Sequence, residues 1–125
     1  MRLLFDTHIL YWSFFERRRL SKLALKLIDE AEEIFVSSAS IWEIAIKVRL
    51  GKMKADPQEL LDRFGESGFQ ELPVLFKHAI LVADLPLHHA DPFDRILVAQ
   101  ASSESLHLLT TDPQLKQYSE LVIQV

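Results

Sequence analysis

Acidic side chains follow two of the strands that this sequence predicts. Asp6 comes directly after the apolar run Arg2–Phe5, and Asp112 comes two residues after the strand predicted at Leu106–Thr110. In α/β sheets, ligand sites form at the carboxyl ends of the strands. Carboxylates placed there are suited to bind a hard divalent cation. Each aspartate also precedes a predicted helix and suits its N-cap, so the residue type alone leaves both interpretations open.

Glu43 is the single acid in the strongly apolar helix predicted at Ala39–Leu50. It has a structural interpretation, because Ser40-x-x-Glu43 matches a capping box in which the Glu reaches back to a backbone N–H. If the helix begins near Ser38 instead, Glu43 lies about a turn and a half inside it and needs a buried partner. The sequence permits either start.

Two acids lie together at the start of the helix predicted from Pro92 to about Ser103. Asp91 is the natural N-cap because a proline follows it. Asp94, in the first turn, is favoured by the helix dipole whether or not it has a chemical role. Asp56-Pro57 opens another helix without following a strand, so the Asp-Pro pattern by itself indicates only a helix start.

Short apolar runs alternate along the chain with longer segments of helical periodicity. Strands are predicted at Arg2–Phe5, Glu33–Ser37, Phe69–Pro73, Leu106–Thr110 and Leu121–Val125. Helices are predicted at Thr7–Phe15, Ser21–Glu32, Ala39–Leu50, from Pro57 to the glycines at 65 and 68, at Leu75–Leu85, from Pro92 and, briefly, after Asp112-Pro113. The alternation predicts an α/β fold with a mostly parallel sheet covered on both faces. A length of 125 residues is typical of a single domain, residues 1–125.

Composition excludes several other kinds of site. The chain has no cysteine, so disulfides and thiolate metal sites are absent, and its three glycines form no phosphate-binding loop. No Gly-x-Ser-x-Gly motif supports acyl transfer. We expect a cytoplasmic protein, since no apolar run is long enough to span a membrane and the apolar N-terminal stretch is too short for a signal peptide.

The histidines show no convincing metal-ligand spacing. His88 and His89, followed by Asp91, would suit zinc only with a further ligand, and no His-x-x-x-His helix supplies one. We therefore expect the five histidines to be loop or surface residues.

The charge is distributed unevenly along the chain. Residues 17–54 contain nine basic and five acidic side chains, although the whole chain has a net charge of −4. This asymmetry permits a basic stripe beside an acidic centre, although the acidic total counts mildly against a nucleic-acid binder. Ordinary solvated helix faces are the more frequent explanation of any one basic cluster.

Four segments together resemble the PIN-domain family, and more narrowly the VapC-like toxins of bacterial toxin–antitoxin pairs. These segments are Leu3–His8, Ser40–Lys47, His89–Ala101 and Leu108–Asp112. Their order and spacing agree over essentially the whole chain. The resemblance implies a three-layer α/β/α sandwich whose four acids meet in one pocket. It also implies Mg²⁺- or Mn²⁺-dependent cleavage of RNA, a homodimer and a small antitoxin protein that blocks the groove.

The resemblance implies a role for each of the four acids. Asp6 would be the principal metal ligand, Asp94 and Asp112 would complete one or two ion positions, and Glu43 would position or deprotonate the attacking water. Asp91 also fits the third position. Asp94 lies closer than Asp91 to the apolar run that begins at position 96. This favours Asp94 as the ligand and Asp91 as the helix cap or a supporting residue.

Supporting residues are expected around these acids. Thr110 would donate a hydrogen bond to an acidic ligand or a phosphate. Oxygen-only ligands favour Mg²⁺ or Mn²⁺ over zinc. The acidic pocket repels RNA until the metal binds, so we expect Lys47, Arg49 or Arg95 to contact the RNA backbone.

Two alternatives are non-enzymatic. A signalling receiver domain has a similar length, but it would need adjacent acids after the first strand, where this chain has Asp6-Thr7, and a lysine near the last strands. An inactive PIN-fold interaction module would keep the fold without binding metal. Four intact acids argue against the second alternative.

Overall fold

A five-stranded sheet forms the centre of the computed structural model, which describes residues 1–125. The strands are β1 Arg2–Phe5, β2 Glu33–Ser37, β3 Gln70–Leu72, β4 His107–Thr110 and β5 Val122–Gln124. The helices are α1 Thr7–Phe15, α2 Lys22–Glu30, α3 Ser38–Arg49, α4 Pro57–Ser67, α5 Phe76–Leu81 and α6 Pro92–Glu104. The strand order is β3-β2-β1-β4-β5, and every pair is parallel.

This strand order places a crevice at the centre of the sheet. From β1 the chain adds β2 and β3 on one side, and it later adds β4 and β5 on the other. In such sheets the crevice that binds ligands opens where the order reverses, at the carboxyl ends of the strands. Here that point lies between β1 and β4, beside Asp6 and Asp112. The order also differs from the 2-1-3-4-5 arrangement of receiver domains, which removes that alternative.

Helices cover both faces of the sheet, which confirms the predicted α/β sandwich. Side chains alternate along β1, so Leu3 and Phe5 join a core that also contains residues of α1, α2, α3 and α4. Leu4 points to the opposite core, with Leu97 and Val98 of α6. The central strand is thus buried on both sides, as expected in parallel sheets. No helix of the structure has the length and apolar character needed to cross a bilayer.

The start of α3 decides between the two interpretations of Glu43. The helix begins at Ser38, and the Ser37 side chain caps it by accepting a hydrogen bond from the Ala39 N–H at 3.0 Å. Glu43 is therefore inside the helix rather than in a capping box.

Two predicted helices are shorter than expected. The segment Leu75–Leu85 divides into α5 and a 3₁₀ turn at Val82–Asp84. The helix expected after Asp112-Pro113 is a single 3₁₀ turn, Leu115–Gln117. In both places the chain follows a tight turn that hydrophobic periodicity does not distinguish from an α-helix.

One histidine is a core residue, which contradicts the prediction that all are in loops or at the surface. His78 is fully buried, its Nδ1 accepts from the Leu75 N–H, and its Nε2 lies 2.9 Å from Glu104 Oε1. Hydrogen bonds from Lys77 and His78 hold the pKa of Glu104 below its usual range. His78 thus links α5 to α6. Both ring nitrogens have hydrogen-bond partners, and these offset the free-energy cost of burying the ring.

Candidate active site

Asp6 occupies the crevice between β1 and β4 and is 4% exposed. Its Oδ1 accepts from the Ile9 N–H at 2.8 Å, so it is the N-cap of α1, and its Oδ2 accepts from the Thr110 hydroxyl. Burial raises the pKa of Asp6, and these two hydrogen bonds only partly oppose that effect. The structural and chemical interpretations of Asp6 are therefore compatible, since capping uses only one oxygen.

Glu43 is a buried carboxylate with one unsatisfied oxygen. It is 5% exposed, and its Oε2 lies 2.9 Å from the Lys47 ammonium one turn along α3. Its Oε1 has no hydrogen-bond partner. A buried hydrogen bond of 3.0 Å from the Thr7 hydroxyl to Ser40 fixes α3 beside α1. An unpaired buried carboxylate oxygen is costly, which indicates that a cation or a water molecule belongs beside it.

The first turn of α6 separates the roles of its two aspartates. Asp91 Oδ1 accepts from the N–H groups of Phe93 and Asp94, at 2.8 and 3.2 Å, and caps the helix. Asp94 does not cap. Burial raises the pKa of Asp94 to about 7, with further contributions from Asp91, Asp6 and Glu43. Asp94 is therefore near enough to Asp6 and Glu43 to be repelled by their charges.

His89 joins the remaining acid to this centre, a role that the sequence analysis missed. Its Nε2 lies 3.0 Å from Asp112 Oδ2 and 3.4 Å from Asp94 Oδ2. Its Nδ1 accepts from the Asp91 N–H at 3.0 Å, so the ring proton of the neutral imidazole is on Nε2. The ring is then a donor that bridges two carboxylates. Nothing in the sequence reveals this contact, because Asp112 is distant along the chain.

Arg95 holds the loop that carries His89. Its guanidinium donates to five oxygen atoms: the carbonyls of Val82, Leu85, Pro86 and His89, and the Tyr118 hydroxyl. Tyr118 also accepts from the His89 N–H and donates to the His89 carbonyl. We predicted Arg95 as a contact to the RNA backbone. The structure instead directs both of its terminal nitrogens into the protein, where they order residues 82–89.

The two other basic residues predicted to contact RNA lie at the end of α3. Lys47 is half-buried and paired with Glu43, whereas Arg49 is exposed. Lys47 is thus tied to the acidic centre through Glu43, whereas Arg49 has no intramolecular ion pair.

The residues of the centre fit a hard divalent cation. Asp6 and Asp94 have raised pKa values, and Glu43 Oε1 lacks a partner; a cation would relieve all three conditions. One possible ligand atom each from His89, Asp94 and Asp112 lies within 4.8 Å of the others. Because His89 Nε2 carries the proton, the donors are carboxylate oxygens, which favours Mg²⁺ or Mn²⁺ over zinc.

Comparison with known proteins places this arrangement in a family. The family model for the PIN domain matches residues 3–121. The chain belongs to the PIN domain family. This PIN domain is 30% identical over 122 residues to ribonuclease VapC22 of Mycobacterium tuberculosis, a match that covers 92% of this chain and 90% of that protein.

Solved structures share the fold. VapBC2 of Rickettsia felis bound to a promoter DNA fragment matches with a TM-score of 0.74 and 20% identity, over 100% of this chain and 98% of that chain. FitAcB of Neisseria gonorrhoeae matches with a TM-score of 0.65 and 18% identity, over 90% of this chain and 89% of that chain. At 20% and 18% identity, the similarity to these two structures shows a shared fold.

Proposed function

We propose that this PIN domain is a Mg²⁺- or Mn²⁺-dependent endoribonuclease and the toxin of a toxin–antitoxin pair. The observation that carries the proposal is the acidic centre itself: buried Asp6 and Glu43, the latter with an unpaired oxygen, beside half-buried Asp94. The 30% identity to a protein named ribonuclease VapC22 supports RNA as the substrate.

Each residue of the centre has a role in this proposal. Asp6, Asp94 and Asp112 would hold the ion, while Glu43, whose Oε1 has no other partner, would orient the attacking water and accept its proton. Thr110 and the Ile9 N–H fix both oxygens of Asp6. When bound, the ion lowers the pKa of a water molecule and offsets charge on the reacting phosphate.

We expect the purified protein to cleave RNA with Mg²⁺ or Mn²⁺ and to lose cleavage in EDTA. Asp6→Asn should reduce the rate on the order of 10²–10³-fold, since it removes a charge that holds the ion. The measurement is the initial rate on a single-stranded RNA. Asp84→Asn, at an exposed carboxylate outside the centre, is the matched control. Cleavage that persists in EDTA excludes the metal mechanism, and no cleavage with any metal favours an inactive interaction module.

An antitoxin protein is the proposed regulatory partner. One solved structure with this fold, from Klebsiella pneumoniae, is named a toxin–antitoxin complex. We expect such a partner to cover the acidic centre or the surface that leads to it.

A second copy of the chain is proposed to cover an apolar groove beside the site. The groove has a volume of about 460 Å³ and includes Trp42, Val74 and Phe93. Trp42 is 64% exposed, and Phe76 on the adjoining α5 is 91% exposed. The PIN-domain resemblance implies a homodimer. The apolar segment Tyr11–Phe15 is half-buried in the monomer, whereas the groove between α3 and the start of α6 has the exposed Trp42 on its wall, so this groove carries the proposal.

We expect light scattering at tens of micromolar to give twice the mass of one chain. Phe76→Ser should shift the protein to the monomer, because it removes a large apolar side chain from the proposed interface. Leu23→Ser, at a half-exposed leucine on α2, is the control and should remain dimeric. A monomer mass for the unmodified chain rejects the dimer.

A further inference from the structure

A second cleft, along α1, is lined by aromatic and basic side chains and by Glu16, whose carboxylate is paired with Arg19 at 3.3 Å. It has a volume of about 320 Å³ and lies between α1 and the loop after α3. The His8 and Trp12 rings lie 5.7 Å apart, and the Arg19 guanidinium lies over the Trp12 ring at 4.9 Å. Lys52 and Lys54 line the opposite side.

The loop that carries the lysines is held in place by the protein. The Tyr11 hydroxyl donates to the Lys54 carbonyl at 2.6 Å, and the Lys52 N–H donates to the Lys47 carbonyl at 2.8 Å. The ammonium groups of Lys52 and Lys54 have no ion pair within the chain, and both side chains are exposed. The cleft therefore presents two free positive charges on a fixed backbone.

Helix α1 connects the cleft to the centre, because Asp6 caps the helix and His8 and Trp12 lie along it. His8 comes two residues after Asp6, and it is near enough to lower the pKa of that aspartate. Trp12 follows one helical turn beyond His8, on the side away from Asp6. A ligand that runs from the acidic centre along α1 thus meets first the imidazole, then the indole and the two lysines.

We propose that this cleft binds a nucleotide of single-stranded RNA adjacent to the phosphodiester bond that is cut. The base stacks on His8 and Trp12, and the flanking phosphate pairs with Lys52 and Lys54. Stacking on an aromatic ring together with backbone neutralisation by lysine is the usual way in which single strands are bound. The inference rests on the proposed ribonuclease function and adds its substrate subsite.

The two tryptophans allow binding to be measured apart from cleavage. Trp42→Phe leaves Trp12 as the single reporter, and Asp94→Asn prevents cleavage in the proposed mechanism. In this double variant, a 10-nucleotide RNA should quench Trp12 fluorescence. Adding Lys52→Ala and Lys54→Ala should raise the apparent Kd at least about 10-fold. The slope of log Kd against the logarithm of the salt concentration should fall by roughly one to two.

The matched control replaces Lys22 and Lys26, two exposed lysines of α2 that line no part of the cleft. Lys22→Ala with Lys26→Ala should change the Kd less than about 2-fold. Equal weakening by both pairs would show general electrostatic attraction and overturn the subsite. Quenching by an acidic peptide but not by RNA would assign the cleft to a protein partner and would also overturn it.

Cleavage by otherwise unmodified protein separates the two proposals. Lys52→Ala with Lys54→Ala should raise KM about 10-fold while kcat stays within about 2-fold, because the metal ligands are intact. Trp12→Leu should raise KM in the same way, and Trp12→Phe should restore it. If unmodified protein cleaves RNA but these variants behave like the α2 control, the subsite is wrong and the function stands. If RNA quenches Trp12 but no metal supports cleavage, the ribonuclease function fails, and with it the placement of the cleft beside a cut bond, while nucleotide binding in the cleft is retained.

Discussion

Asp94→Asn is expected to abolish RNA cleavage and to raise the Tm of the metal-free protein at pH 7.5. The substitution removes one ionised oxygen from the proposed ion site, and it also removes a charge that Asp91, Asp6 and Glu43 repel. We expect the Tm to rise by at least roughly 4 °C, the shift given by about 1 kcal/mol in a domain of this size. Adding Mn²⁺ should stabilise the unmodified protein but not the variant.

The pH dependence of this gain has a definite sign. The pKa of Asp94 rises from its ordinary value of 3.8 to about 7 in the folded protein. Between these values the folded state binds a proton that the unfolded state has lost, so the stability contributed by Asp94 decreases as pH rises. The advantage of Asp94→Asn should therefore increase from about pH 4 to about pH 7 and then stay constant. Thermal melts in EDTA at several pH values measure it.

Asp91→Asn is the matched comparison, since asparagine also caps helices well. We expect this variant to keep the Tm within a few degrees and to retain most of the cleavage activity. An inactive Asp91→Asn beside an active Asp94→Asn would reverse the assignment. Equal loss of cleavage in both would mean that the two carboxylates share the ion.

Replacing Arg95 is expected to give the largest loss of stability among the residues outside the core. Arg95→Met removes five hydrogen bonds from residues 82–89 and Tyr118, and we expect a loss of roughly 2–4 kcal/mol in the free energy of unfolding. Urea denaturation measures this loss. Arg18→Met, at an exposed arginine without an ion pair, should change stability by less than about 0.5 kcal/mol.

Arg95→Met should also slow cleavage, because the loop it releases carries His89. We expect a 10–100-fold lower rate, as is usual when a group that orients metal ligands is lost. His89→Leu should slow cleavage similarly without the large loss of stability. His89→Gln should recover part of the rate, since its amide can donate toward Asp112. Full activity in both His89 variants would exclude the orienting role.

The sequence predicted the fold well because its signals are local. Asp6, Asp56 and Asp91 each precede a helix that the structure contains, and the strands predicted at Arg2–Phe5 and Glu33–Ser37 match the observed bounds. Caps, proline positions and apolar periodicity act over a few residues, so they are visible without tertiary contacts. The lengths of α5 and of the turn after Asp112 were wrong because 3₁₀ and α segments share those signals.

The candidate site, like the fold, could be predicted from the sequence only in part. The acidic residues, their places at strand ends and helix starts, and the elements that carry them are all visible in the sequence. The tertiary structure supplies most of their partners. It left Glu43 Oε1 unpaired, directed Arg95 into its own loop and brought His89 to Asp112. Helix periodicity places Lys47 beside Glu43, but neither composition nor periodicity shows that one oxygen stays unpaired. The remaining contacts join residues distant in the chain or depend on the path of a loop, which emerge only when the sheet and its helices have packed.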